Sequence, residues 1–295
     1  MNNHQQQPRG AIYDPQQQKL IIAGNGTTLE NLIGNDDLTV VDELGGFKIL
    51  EWKRDMSVNR FTAINEYFSA KMGIRRRQLL VDLASVIETQ AIHVQAGAMQ
   101  FTVGNVQAAT NIKGVGDLFS KAVRGAVTGE SAIKPEYRGT GMIMLEPTYR
   151  YIILIDVFGD FPNGVVLDDG LYLASASTVQ QKAIARSNIS SAVAGGEGLF
   201  NLACSGYGML ALESPVPRSE IITVTLNNDE LKIDGNMALA WDASLSFTVE
   251  RSTKTLIGSA ASGEGLVNVY RGTGKVLMSP VATNAPMMDT GSNPA

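Results

Sequence analysis

Short apolar runs, each closed by a glycine or a proline, recur along most of the chain and predict short β-strands joined by tight turns. Leu79–Leu83, Ile152–Asp156 and Ile221–Leu226 read as strands of this kind. Behind each comes a pair of runs folded around a glycine: Val94–Met99 about Gly97, Leu167–Tyr172 about Gly170, and Ile233–Met237 about Gly235. Asp169-Gly170 and Asp234-Gly235 are strong hairpin signals, because glycine takes the positive φ of a primed turn. One segment has a different period. Phe61, Ile64, Phe68 and Met72 recur at three- and four-residue steps, which predicts a helix over about 56–72. Ser57 is its expected N-cap, Gly73 its expected stop, and its apolar side is expected to pack on a sheet. Val40-Val41 and Phe47–Leu50 predict short strands ahead of it, broken by Gly45-Gly46. Residues 1–19 are rich in Asn, Gln and Pro, and 283–295 mix Asn, Pro, Gly and Ser, so both ends are expected to be flexible tails.

The strand pattern reads as a threefold internal repeat. Gly129-Glu130, Gly196-Glu197 and Gly263-Glu264 recur at a spacing of 67 residues. Shortly after each comes a Gly-x-Gly box: Gly139-Thr140-Gly141, Gly206-Tyr207-Gly208 and Gly272-Thr273-Gly274. Each box leads into an apolar run and then a proline, at Pro147, Pro215 or Pro280. The units run roughly 78–147, 150–215 and 220–280, within a triplicated β domain at 78–282. An extension at 20–77 carries the helix. A single unit has too few strands to enclose a core, whereas three side by side can bury a continuous one. The expected class is all-β with a small N-terminal α/β extension.

These boxes resemble a family of bacterial proteins related to the mitochondrial "altered inheritance of mitochondria" proteins. The resemblance covers about Val40 to Ala282. It is carried by Ala96–Gln100, Thr128–Ser131, Gly139–Tyr149, Gly195–Phe200, Lys232–Ala238 and Gly263–Gly274. It implies three short double-stranded β-helix subdomains per chain, similar to the trp RNA-binding attenuation protein. It also implies chains closing into a trimeric ring, and it supplies no catalytic residues to carry over.

Composition narrows the chemistry further. Cys204 is the single cysteine and His4 and His93 are the two histidines of 295 residues, which excludes a disulfide framework, multi-cysteine zinc sites and most histidine-dependent catalysis. The net charge of −5 opposes nucleic acid at the level of the whole molecule. No apolar stretch is long enough to cross a bilayer as a helix, and no secretory signal opens the chain, so a cytoplasmic protein is expected. Tyr270–Lys275 mimics part of a phosphate loop, but Val276 follows the lysine where a hydroxyl is needed, and the other two boxes lack the lysine. Asp168 and Asp169 are adjacent in a strand turn and point apart. Cys204 has apolar neighbours that suit a buried thiol, and His93 is expected to face solvent. No catalytic residue, cofactor or metal site is assigned.

The glycines of the repeats, Gly129, Gly139, Gly141, Gly196, Gly206, Gly208, Gly263, Gly272 and Gly274, are assigned to turns. Candidate partner or ion contacts are Glu130, Glu197 and Glu264 and the basic run Arg75, Arg76 and Arg77. The expected function is non-enzymatic: an oligomeric β-ring acting as a scaffold or assembly factor, with itself and an unidentified protein as partners. The alternative is a ligand- or RNA-binding module using clefts between repeats. Phe101, Phe200, Met209 and Leu266 are the candidate members of a homotrimer interface.

Overall fold

The computed structural model describes residues 10–22, 26–87, 89–109, 134–185, 200–251 and 266–281. Where the N-terminal tail was expected, the chain from residue 10 instead enters a sheet. β1 (Ile12–Asp14), β2 (Lys19–Ile21) and β3 (Thr28–Glu30) form an antiparallel three-stranded sheet. The reason lies in what they cover. Leu20 and Ile22, with Tyr13 beside them, pack on Leu80, Met142 and Met144, apolar surface that would otherwise meet water.

β4 (Leu38–Leu44) and β5 (Phe47–Trp52) form a hairpin turned by Gly45 and Gly46, both at positive φ. The following helix α1 (Ala63–Lys71) starts later than its periodicity predicts. Ser57 is not its cap: its amide donates to the Asp55 carboxylate, while the Asn59 side chain accepts from the amides of Phe61 and Thr62 and holds a separate turn. Gly73, at φ +79°, follows the helix as predicted. The packing expectation is overturned. No residue of α1 is buried, and Phe61, Ile64, Phe68 and Met72 are all exposed.

The next strands are β6 (Arg77–Asp82), β7 (Ala91–Val94), β8 (Met99–Val103), β9 (Val106–Ala109), β10 (Glu136–Gly139) and β11 (Met142–Leu145). β12 (Tyr151–Asp156) runs into a single helical turn, α2 (Val157–Asp160). After it come β13 (Val165–Leu167), β14 (Tyr172–Ala176), β15 (Val179–Ala185), β16 (Phe200–Gly206) and β17 (Met209–Ser214). β18 (Ile222–Asp234), β19 (Ala238–Asp242), β20 (Ser246–Arg251) and β21 (Leu266–Met278) complete the described chain.

All strand pairs are antiparallel. β11 lies between β6 and β8, and β10 between β7 and β9. β17 lies between β12 and β14, and β16 between β13 and β15. The two halves of β18 pair with the two halves of β21, whose other edge takes β19 and β20. Two further pairs link these groups: β7 with β14, and β13 with β19. The result is one six-stranded sheet (β12-β17-β14-β7-β10-β9), a five-stranded one (β4-β5-β6-β11-β8) and a seven-stranded one built on β13, β16, β19 and β21.

Central strands are covered on both faces, which explains why they read as continuous apolar runs. Every residue of β6 is buried: Leu79 and Val81 face the main core with Phe47, Ile92 and Ile143, and Leu80 faces the N-terminal sheet. A second core gathers Trp241, Tyr270, Val276 and Ile233, with Trp241 and Tyr270 edge-to-face at 5.2 Å between ring centres.

Candidate functional site

The Gly-x-Gly boxes join consecutive strands at equivalent places, between β10 and β11, between β16 and β17, and within β21. Gly139, Gly206 and Gly272 have φ of +140°, +101° and +126°, the region that favours glycine; the turn assignment of Gly272 and Gly274 is corrected, because both lie inside the continuous strand β21. A Cβ on Gly139 would lie 2.1 Å from the Asn105 carbonyl oxygen, and one on Gly206 2.7 Å from that of Thr178. The second glycines meet neighbouring atoms just as closely: a Cβ would stand 2.2 Å from the Val103 oxygen at Gly141 and 2.8 Å from side-chain carbon at Gly208 and Gly274. Positive φ accounts for Gly272, close approach for Gly141 and Gly274, and both for Gly139, Gly206 and Gly208. Gly129, Glu130, Gly196, Glu197, Gly263 and Glu264 lie outside the described residues.

The basic run does not form a free patch. Arg75 and Arg77 both reach Glu51, at 3.1 and 2.7 Å, and Arg76 reaches Asp55 at 3.2 Å. Arg77 is buried, stacked 4.0 Å from the Tyr151 ring centre. Burial opposes ionisation of Asp55, but hydrogen bonds from Ser57 and the nearby Arg76 charge hold its carboxyl below the ordinary value. These arginines therefore tie β5, β6 and the chain before α1 together, which corrects their assignment as partner contacts. Cys204 is buried, as its neighbours predict. His93 does not face solvent: its side chain is 19% exposed, 3.6 Å from Glu136. Burial pulls its pKa down despite that carboxylate, with Lys134 adding to the effect. Among the described residues no group of three or more His, Cys, Asp or Glu could hold a metal ion.

What sequence reasoning missed is a difference between strands of matching role. β14 and β19, each flanked by two strands, are buried at every residue. β8 has the same place beside β11 that β14 has beside β17, with the register slipping after the same position (Met99/Phe101 and Tyr172/Ala174). Yet β8 is exposed along nearly its whole length, with Phe101 at 36% and Met99 at 38%. Among the described residues only β11 pairs with it. The mirror case is the second half of β18, residues 229–234, which sits beside β21 as β7 sits beside β10 and β13 beside β16. β7 and β13 are almost wholly buried, whereas of 229–234 only Ile233 is. Among the described residues, two unfilled strand edges thus stand at opposite ends of the chain's strand order.

Charge around the second edge is concentrated and paired. Glu230 contacts Lys232 at 2.9 Å and Arg271 at 3.0 Å, and Arg271 also grips Glu250. The Arg271 and Thr248 hydrogen bonds hold the Glu250 carboxyl down at about 2. Of the interface candidates, Phe101 lies on an open edge and Met209 is buried within the chain, which corrects its assignment; the side chains of Phe200 and Leu266 lie outside the described residues.

Comparison with known proteins agrees with this architecture. The chain is 30% identical over 193 residues to an uncharacterised protein of Streptococcus pyogenes serotype M6, a stretch covering 63% of this chain and 75% of that protein. It superposes with a TM-score of 0.51 on the crystal structure of a Streptococcus pyogenes protein, at 24% identity, covering 71% of this chain and 89% of that one; this likeness bears on the fold alone. The family described as Mitochondrial biogenesis AIM24 matches residues 74–281, from just after α1 to the end of the described chain. That span is most of the molecule, and the protein belongs to the Mitochondrial biogenesis AIM24 family.

Proposed function

We propose that this protein is a non-enzymatic scaffold: three equivalent double-stranded β units per chain, with chains joined edge to edge into a closed ring. The observation that carries the reading is the exposure of β8 and of residues 229–234, where their counterparts are buried by a neighbouring strand of the same chain. Unpaired edges are aggregation hazards that proteins cover or close. The same protein offers a partner for each.

The two joints inside the chain share one register, and extending it gives a specific pairing. Val94 opposes Ala174, and Leu167 opposes Ala240. Ile233 holds the place of Val94 and Leu167 relative to the Gly-x-Gly strand, and Phe101 holds that of Ala174 and Ala240. Ile233 of one chain would then oppose Phe101 of the next, with Lys232 opposite Thr102 and Leu231 opposite Val103. Each apolar cross-strand pair is worth roughly 0.2–1 kcal/mol beyond the main-chain bonds. The contact joins two different surfaces, so it must close into a ring or run on as a filament. A ring of three chains is the size the family resemblance implies.

Light scattering and sedimentation should give about three times the chain mass of 31.5 kDa. Thr102→Lys puts a like charge opposite Lys232 and should reduce that mass; adding Lys232→Glu should restore it. A concentration-independent mass of one chain overturns the ring, and failure of the charge swap overturns the register.

A further inference from the structure

Helix α1 is turned the wrong way round for a helix that stabilises a fold. An amphipathic surface helix places its apolar stripe against the core. Here the residues that face the body are Glu66, Ser69 and Ala70, all partly buried, and the Tyr149 hydroxyl lies 3.4 Å from Glu66. The stripe Phe61, Ile64, Phe68 and Met72 points outward, each residue between 62% and 76% exposed. Tyr67 stands beside it, its ring edge-on to Phe68 at 5.5 Å.

Two cations border the stripe. The Arg60 guanidinium sits 4.6 Å from the centre of the Phe61 ring, and the Lys71 ammonium 5.2 Å from that of Tyr67. Among the described residues neither has an acidic partner. This sets them apart from Arg54, Arg75, Arg76 and Arg77 nearby, each of which is paired.

We propose that the outer face of α1 docks on an anionic lipid surface. Exposed aromatic and aliphatic side chains bordered by Lys and Arg are the pattern of a helix lying in a membrane interface, rings in the acyl boundary and cations at the headgroups. The chain's net charge of −5 repels such a surface overall, so the Arg60 and Lys71 charges placed at the apolar stripe supply a local attraction that the net charge does not. A second copy of the chain is the less favoured occupant. The open edge β8 lies two strands away from β6, across β11, whereas α1 leads directly into the start of β6. The patch belongs to one chain, so the proposal holds whether or not the ring forms; a cyclic ring would present several copies on one rim and raise avidity.

The test uses the full chain and phosphatidylcholine vesicles with and without phosphatidylglycerol. The protein should co-sediment with the phosphatidylglycerol vesicles, less so as salt is raised. Arg60→Gln and Lys71→Gln should each weaken binding about fivefold, and the double variant Phe61→Ser/Phe68→Ser should abolish it. All these side chains are exposed, so thermal melting should not move and a folding defect can be told from lost docking. A Phe68→Trp variant should shift its emission to the blue on the anionic vesicles. Absence of binding to those vesicles overturns the proposal, as does binding that survives Phe61→Ser/Phe68→Ser. A drop in solution mass in that double variant with vesicle binding unchanged would mean that a second copy covers the helix.

Discussion

Alanine at the first glycine of each Gly-x-Gly box should destabilise the protein in a graded order that the local geometry dictates. At Gly272 the nearest atom to a new Cβ is Leu245 Cδ2 at 3.5 Å, so the substitution meets only the cost of φ +126°, about 1–2 kcal/mol. At Gly206 the same strain is joined by a backbone oxygen, that of Thr178 at 2.7 Å, which must move with its strand connection; about 2–4 kcal/mol follows. At Gly139 the Asn105 oxygen would stand 2.1 Å away and its carbonyl carbon 3.0 Å. That oxygen also accepts from the amides of Thr140 and Gly141, so shifting it breaks existing bonds, and the cost should exceed about 4 kcal/mol. Thermal unfolding at one fixed protein concentration reads the series, with each kcal/mol lowering Tm by about 2–4 °C. Gly272→Ala should then lose about 2–8 °C and Gly139→Ala more than about 8 °C. Equal losses at Gly272 and Gly139, or a Gly139→Ala protein within about 0.5 kcal/mol of the parent, would refute the close-approach reasoning.

Two more outcomes test the interior. His93 has a lowered pKa in the fold, so the unfolded chain takes up its proton first as pH falls below the ordinary imidazole value of 6.5; stability is fully present above that value and declines beneath it. His93→Gln should flatten this part of the stability curve, and an unchanged slope between parent and variant would show that burial of the imidazole is not linked to folding. Asp82, 4% exposed, accepts from the Ala84 amide, the Ser85 hydroxyl and the Ala11 amide, so Asp82→Ala should cost about 2–3 kcal/mol and release the N-terminal strands to proteolysis before the rest unfolds. Uniform proteolysis along the chain would sink the idea that Asp82 fastens them.

The glycine boxes were legible because a required positive φ writes itself into one residue type, wherever it recurs. The family was legible for the same reason, through the boxes that span it. Hydrophobic periodicity located α1 and missed its direction: spacing says that Phe61, Ile64 and Phe68 share a face but cannot say whether anything lies against that face. The N-terminal strands were hidden by composition. Their few apolar residues, Leu20 and Ile22 chief among them, look insufficient alone and become worthwhile only against Leu80, Met142 and Met144, more than fifty residues away in sequence. The open edges were invisible for a related reason. Met99–Val103 reads as a strand like its counterparts, and its exposure depends on which strand comes next in space.

The N-terminal extension sharpens the case that these edges are meant to be filled. β5 pairs along the outer edge of β6, and β1–β3 cover the face around Met142 and Met144. One border of the first group of strands is thereby closed within the chain. The other border, β8, belongs to the same five-stranded sheet and receives no strand among the described residues, although Met99 and Phe101 are large apolar residues at its edge. A cover added only for stability would have had as much to gain there. Leaving β8 bare is consistent instead with a strand arriving from another copy, and residues 229–234 are the segment whose internal counterparts already make that contact twice. On this joint every open assembly retains one bare β8 and one bare β18 edge however many chains it contains, so closure removes both at once, which a dimer built by simple two-fold symmetry on either edge could not do.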